Sequence, residues 1–476
     1  MIAGGTQLLA VGAALIALGL GGCGGDDDDS GTGGTQGAGG EGTGGTAGEG
    51  GAEGEGGAAG EAEPGGPETV EIFSWWSSGR EAEALQAIID VHHETYPDAE
   101  IINRALPFPD EARDELEVRM QAGDPPDTFQ AYVGGDLLQW VGDTQGETLL
   151  EDLDDLAEQQ GWLDVFPAPA VQFASSGGHL YGVPIGIHRV NTLYYSIEIF
   201  EEQNMDPPGT YEELKHACID LKAAGITPLG LGNLGNWTLA QVAFEMIMPA
   251  IAGAGYYHSF WIGNEDPSDP RVEATLTETL WFYCGDDPTN CDGYFNENVD
   301  EIDWTAGMDL LVNGQVAMAP MGDWARVYLE SRDWVAGVDF GAVPFPALEG
   351  VDAAYVFTAD TFNLPKGANN PGGARRLLRT MGSVEGQVAF SAKKGSIPVR
   401  TDIDAAEYDQ LDAVHAQTMQ DFKDAEQAQT LVLALSGLLI GDTLKARQGN
   451  LRDAMEEGSI EIIADFLENN YSALQD

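Results

Sequence analysis

A β-type run over 70–73 (VEIF) predicts a short strand, which stops at the adjacent Trp75 and Trp76. Ser77, Ser78 and Gly79 follow. From 81 to 96 the pattern turns helical, with Leu85, Ile88, Ile89 and His92 on one face. The next strand is expected over 98–104, and an amphipathic helix over 112–122 is ended by Gly123. Asp124-Pro-Pro-Asp127 marks a turn, and 128–133 (TFQAYV) is a third strand with Gln130 and Tyr132 at its end. Alternating strands and helices on this spacing indicate an α/β sheet whose strand ends face a crevice.

The pattern continues to the C-terminus. Residues 181–195 join a Gly/Pro-broken segment to a β-rich one, which suits a chain crossing between lobes. Thr210 is the expected N-cap of a helix over 211–224. A strand over 227–231 then leads to the glycine-rich loop 232–237. That loop lacks the spacing of a phosphate loop. The run 316–324 (VAMAPMGDW) reads as a buried strand opening into a turn and helix, 353–365 repeats the theme, and helices fill most of the chain from about 374.

Composition adds an address and an environment. The apolar run 8–20 is 13 residues long, too short to span a bilayer with ease and right for a signal-peptide core. It ends in Leu20-Gly21-Gly22-Cys23, similar to a bacterial lipobox although residues 1–7 hold no Lys or Arg, so 1–23 is read as a lipoprotein signal with Cys23 as the lipid anchor. Residues 24–68 are nearly all Gly, Ala, Thr, Ser and acids, a composition expected to form a disordered tether. The expected location is the periplasmic or extracytoplasmic face of the cell envelope.

Of 79 acids, 11 precede Thr69, as do none of the 21 bases, so the body alone carries −47 of the total −58. Such a field repels nucleic acid and anionic lipid, and only seven bases are lysines. An acidic, lysine-poor body is compatible with a salty habitat, where counterions screen self-repulsion. With Cys23 acylated, Cys218, Cys284 and Cys291 remain, an odd set from which one bridge is expected. Cys218 joined to either of the others would link segments of one lobe, while Cys284 with Cys291 would close a short loop. Zinc is a poor alternative, because His92 and His93 are adjacent, the other histidines are scattered, and there is no CxxC.

The segments VEIFSWWSSGREAEAL, PDAEI, GDPPDTFQAYVGG, YGVPIGIHRVNTLYY, PPGTYEELKHACIDLKAAGITPL, GNWT, GQVAMAPMGDWA, FTADTFNLPKGA and AKKGSIPVR occur in this order across 69–400. Together they resemble the extracellular solute-binding proteins of bacterial ABC sugar importers, and particularly the glucose- and monosaccharide-binding subset. The resemblance implies a type II periplasmic-binding-protein clamp of two α/β lobes that close over a sugar by hinge motion. It places lobe 1 over 69–184 plus about 317–352, and lobe 2 over 185–316 plus about 353–476.

Carried over residue by residue, it implies a ligand site of Trp75, Trp76, Glu81, Gln130, Tyr132, Trp237, Asp323, Trp324, Asp360 and Lys394. Aromatic faces would cover the C–H side of a pyranose, and carboxylates, amides and an ammonium would take its hydroxyls. Each residue also has a structural reading. Both tryptophans fit a core beneath a tight turn, Asp323 a helix cap, Glu81 a first-turn acid, Asp360 a hinge residue and Lys394 a surface lysine. Some glucose-binding members carry histidine at the positions of Tyr132 and Ser436, which leaves the sugar open, mono- or oligosaccharide. His188 reads as a hinge or supporting residue.

The expected partners are a sugar, ABC permease subunits with their ATPase, and the membrane through the lipid anchor, with no cofactor, no metal and no nucleic acid. Two other functions use the same features. A sugar-sensing lipoprotein would share the fold. A secreted glycoside hydrolase would need two opposed carboxylates, drawn from Asp323 with Glu81 or Asp360.

Overall fold

The computed structural model describes residues 69–142, 148–289, 291–439 and 441–470. The expectations for the apolar run 8–20, Cys23 and the segment 24–68 fall outside them. Twelve strands are assigned among the described residues: β1 (Thr69–Ser74), β2 (Glu100–Ala105), β3 (Thr128–Tyr132), β4 (Ser175–Ser176), β5 (His179–Leu180), β6 (Gly182–Arg189), β7 (Thr192–Ser196), β8 (Thr227–Leu229), β9 (Val316–Met321), β10 (Phe340–Pro344), β11 (Tyr355–Asn363) and β12 (Leu431–Leu433). No helix among those residues is long and apolar enough to cross a membrane.

The strands make two main sheets, each with its own core. In the first, β1 lies parallel to β2 and β3, and β3 runs antiparallel to β11. β11 is the spine: β3 and β12 share one of its edges and β6 takes the other. The second sheet has the order β10-β7-β9-β8. Helices Gly79–Thr95, Pro371–Met381 and Val384–Lys394 cover the first sheet, burying Leu85, Ile88, Leu377 and Phe390 among Ile72, Phe129 and Phe362. Helices Tyr211–Ala223, Pro270–Cys284 and Gly441–Glu456 supply the second core, around Leu221, Phe244, Phe282 and Leu451.

Local signals set the helix ends. Thr210 accepts the N–H of Glu213, whose carboxylate takes the Thr210 N–H in return, a complete capping box. Helix Pro109–Ala122 begins three residues before the periodicity suggests, because proline is well placed in a first turn, and it ends on Gly123 at φ 71°.

Among the described residues the chain crosses between the two lobes three times: at Val190-Asn191 between β6 and β7, over 345–354 between β10 and β11, and over 434–439 after β12. This corrects the expected lobe boundaries. β6 belongs to the first sheet as far as Arg189, and β9 and β10 pair with β7, so 317–344 lies with the second sheet. β11 and β12, with the helices between them, lie with the first. The reason is physical: β9 and β11 are both buried at every position, so neither shows an alternation that would disclose its neighbour.

The bridge is Cys284–Cys291, seven residues apart in sequence. Cys218 is a free, buried thiol in the second core, its pKa raised by burial, so the pairings that would have used it are not made.

Candidate functional site

On the first lobe, β1 delivers the chain to Trp75 and Trp76, and Gly79 at φ 60° turns it into the helix Gly79–Thr95. Both tryptophans are buried in the first core, Trp75 at 6% exposure, but their neighbours differ. Trp76 is 1% exposed, 5.7 Å from the Phe362 ring and 5.2 Å from the Phe390 ring, and Lys394 Nζ lies 5.6 Å from its centroid. The Trp75 ring packs on Tyr132 at 5.1 Å, and its backbone N–H donates to Gln130 Oε1 at 3.2 Å.

Arg113 sits against both rings, 5.3 Å from Trp75 and 5.6 Å from Tyr132. Asp136 fixes it with bonds of 2.7 and 3.2 Å and also accepts the Tyr132 N–H. Burial and the nearby carboxylate of Asp360 push the Tyr132 hydroxyl well above its ordinary pKa, so it is a neutral donor and acceptor.

Behind this aromatic pair lies a charged centre. Gln130 Nε2 donates to Asp360 Oδ1 at 2.8 Å, and Asp360 stands opposite Tyr132 in the β3–β11 register. Burial raises the Asp360 pKa, opposed by Lys394 and His188. Lys394, the last residue of its helix, is 4% exposed, and its Nζ donates to Glu81 Oε1 at 2.8 Å. Burial lowers its pKa, but the Glu81 and Asp360 carboxylates outweigh that and the net shift is upward. Lys394 is therefore a buried, bonded ammonium and not a surface lysine.

His188 joins this centre to the second lobe. Its Nδ1–H donates to Asp323 Oδ1 at 2.5 Å. Its Nε2 lies 3.7 Å from Asp360 Oδ2 and has no hydrogen-bond partner among the described residues. Asp323 precedes helix Trp324–Glu330 but makes no side-chain cap; its second oxygen accepts the Arg189 N–H at 2.8 Å instead. The capping alternative for Asp323 is thus not what its carboxylate does.

Trp324 meets the His188 ring edge-on at 5.6 Å, and Trp237 lies 6.3 Å from Trp324. All ten residues expected from sequence therefore fall in one connected group of side chains spanning both sheets. Arg113, Asp136 and His188 complete it. His188 had a signal, being an imidazole next to Arg189 at the end of a strand that is otherwise apolar. Arg113 had none, because its helix reads as an ordinary charged surface helix.

The arrangement offers flat rings at both ends and a middle of carboxylates, an amide, an imidazole and an ammonium, many with one valence already used. That suits a neutral polyhydroxylated molecule with an apolar face.

The model of the family described as bacterial extracellular solute-binding protein matches residues 76–388. An uncharacterised ABC transporter extracellular-binding protein of Pyrococcus horikoshii is 33% identical over 350 residues, covering 72% of this chain and 74% of the relative. The xylose/arabinose-binding protein of Haloferax volcanii is 27% identical, covering 75% and 74%. Among solved structures, a bacterial solute receptor with an exclusive preference for β-D-galactopyranose superimposes with a TM-score of 0.72 at 16% identity, covering 86% of this chain and 99% of the other. A chitin oligosaccharide binding protein does so with the same TM-score at 19% identity, covering 86% and 98%. These structures share the two-lobed fold, and the matched span carries the first two crossings and nearly all of the group around His188; the chain belongs to the bacterial extracellular solute-binding protein family, a family of binding proteins and not of enzymes.

Proposed function

We propose that this protein captures a mono- or small oligosaccharide between its lobes and delivers it to the permease of an ABC importer, held at the membrane through Cys23. The observation that carries the reading is the connected group running from Trp75 and Tyr132, through Gln130, Asp360 and His188, to Asp323, Trp324 and Trp237. Its two ends belong to different sheets, so a ligand seated along it would hold both lobes at once. The relatives support the ligand class: besides the pentose-binding protein, a glucose-binding protein of Saccharolobus solfataricus is 25% identical over 340 residues.

In this reading the sugar's C–H face lies against an indole. Glu81, Asp360 and Lys394 take hydroxyls with their remaining valences, and His188 Nε2 finds the partner it lacks within the protein. A glucose-like monosaccharide is the favoured ligand. Tryptophan fluorescence and melting temperature of the full chain, measured against a panel of mono- and oligosaccharides, test it. A saturable change with at least one sugar is expected, and none across the panel would refute the reading.

A further inference from the structure

One continuous helix runs from Trp237 into the second core: Trp237–Ala240, then a π-helical stretch Gln241–Ile247, then Met248–Ala252. π-Helical turns are rare and concentrate at functional positions. Two polar side chains of this stretch, Gln241 and Glu245, are 4% and 7% exposed, where apolar residues would be the ordinary choice. Neither is idle. Gln241 Nε2 donates to the Val190 carbonyl at 2.5 Å, and Glu245 Oε1 accepts the Leu435 N–H at 2.6 Å. Val190 lies in the first crossing between the sheets and Leu435 in the third.

The remaining crossing is bonded to the first. Asn191 donates to the Ala354 carbonyl at 2.8 Å and accepts the N–H groups of Val356, at its side chain, and of Phe345, at its carbonyl. The three crossings and this helix therefore form one hydrogen-bonded unit.

The spacing gives the unit a direction. Trp237, Gln241 and Glu245 are four residues apart in turn. In a regular α-helix, positions eight apart drift round the axis by about 80°. A π turn holds more residues, which cancels that drift and keeps all three on one side.

We propose that Gln241 and Glu245 are positioning residues that couple ligand contact at Trp237 to the angle between the lobes. This rests on the sugar-binding reading above. When the second lobe swings about its crossings, the two bonds oblige the helix, and the indole at its start, to move by a fixed amount. Without them the indole is no longer tied to the hinge angle.

The experiment uses the full chain titrated with D-glucose, D-galactose, D-xylose and maltose, the tightest binder being carried forward. Gln241→Leu, Glu245→Leu and Glu245→Gln are compared by calorimetry and by the change in radius of gyration on adding sugar. Each leucine variant is expected to lose about tenfold in affinity and to contract less, while its tryptophan fluorescence still responds. Glu245→Gln keeps the acceptor and is expected to bind and contract like the parent. Should a leucine variant lose its cooperative melt, Gln241→Asn and Glu245→Asp, which withdraw the same atoms by one methylene, carry the same expectation. Parent-like affinity and contraction in variants that fold overturns the coupling. A parent that binds none of the four sugars overturns the sugar reading, and the coupling with it.

Discussion

Trp75 and Trp237 sit at opposite ends of one run of contacting side chains, and the frames that hold them differ. Trp75 is fixed from every side: its ring lies against Tyr132 and Arg113, its backbone is bonded to Gln130, and Asp136 locks the arginine. Trp237 follows two residues at positive φ, Gly235 and Asn236, and is only partly buried, with its ring beside Trp324 at the edge of the small cluster around Tyr194 and Phe340. The first lobe thus presents a wall preset by its own strands. The second presents one whose place depends on the hinge, and so on Gln241 and Glu245. Preorganisation on one side and adjustable approach on the other is a workable division for a clamp.

Substitutions can break this contrast, and the largest effect belongs to the preset side. Lys394→Met leaves Glu81 and Asp360 without their shared cation inside the first lobe. Denaturant unfolding should show a loss of about 3–5 kcal/mol, the usual cost of stranding a buried charge. A loss below 1 kcal/mol would show that the charged centre is not structurally committed.

The hinge side should show itself through pH. Burial raises the Glu245 carboxyl to about 7 from an ordinary 4.5, while the Leu435 N–H opposes the shift. Between those values the folded protein keeps a proton that the unfolded chain has released. Stability from this group is therefore full below about 4.5, falls as pH rises, and levels off above about 7, on the order of 3 kcal/mol lower. Glu245→Gln should remove that component, which the difference between parent and variant stability across pH 4–8 measures directly. Parallel curves would contradict it.

Asp323→Ala separates the two walls where they meet, depriving His188 Nδ1–H and the Arg189 N–H of their acceptor. Sugar affinity should fall about a hundredfold by calorimetry, with a smaller loss in melting temperature. Trp237→Ala should act on binding alone, weakening it about tenfold while unfolding stability stays within about 0.5 kcal/mol. An equal loss of stability would mean that Trp237 is as fixed as Trp75.

Much of this organisation was legible in the chain, and the exceptions share a cause. Strand ends, caps and turns are local, so the loop after β1, the Thr210 N-cap and the Gly123 terminus could be read directly. The ten candidate site residues came from the family resemblance, since each of them alone also fits a cap, a core or a surface position. Partnership is not local. The uniformly buried β9 and β11 gave no sign of which sheet each joins, and the lobes were misdivided accordingly. Cys284–Cys291 closes a loop that spacing alone left undecided. Gln241 and Glu245 carry no motif; their meaning comes only from backbone atoms of distant crossings. Arg113 reads as a solvated helix charge until Trp75 and Tyr132 are seen against it.

Calorimetric titration of the full chain with mono- and small oligosaccharides, at two temperatures, tests the central claim most directly. Saturable binding of one sugar per chain is expected, with a negative heat-capacity change as two lobes bury a ligand's apolar face between them. Flat titrations throughout the panel, from a chain that melts cooperatively, would contradict it.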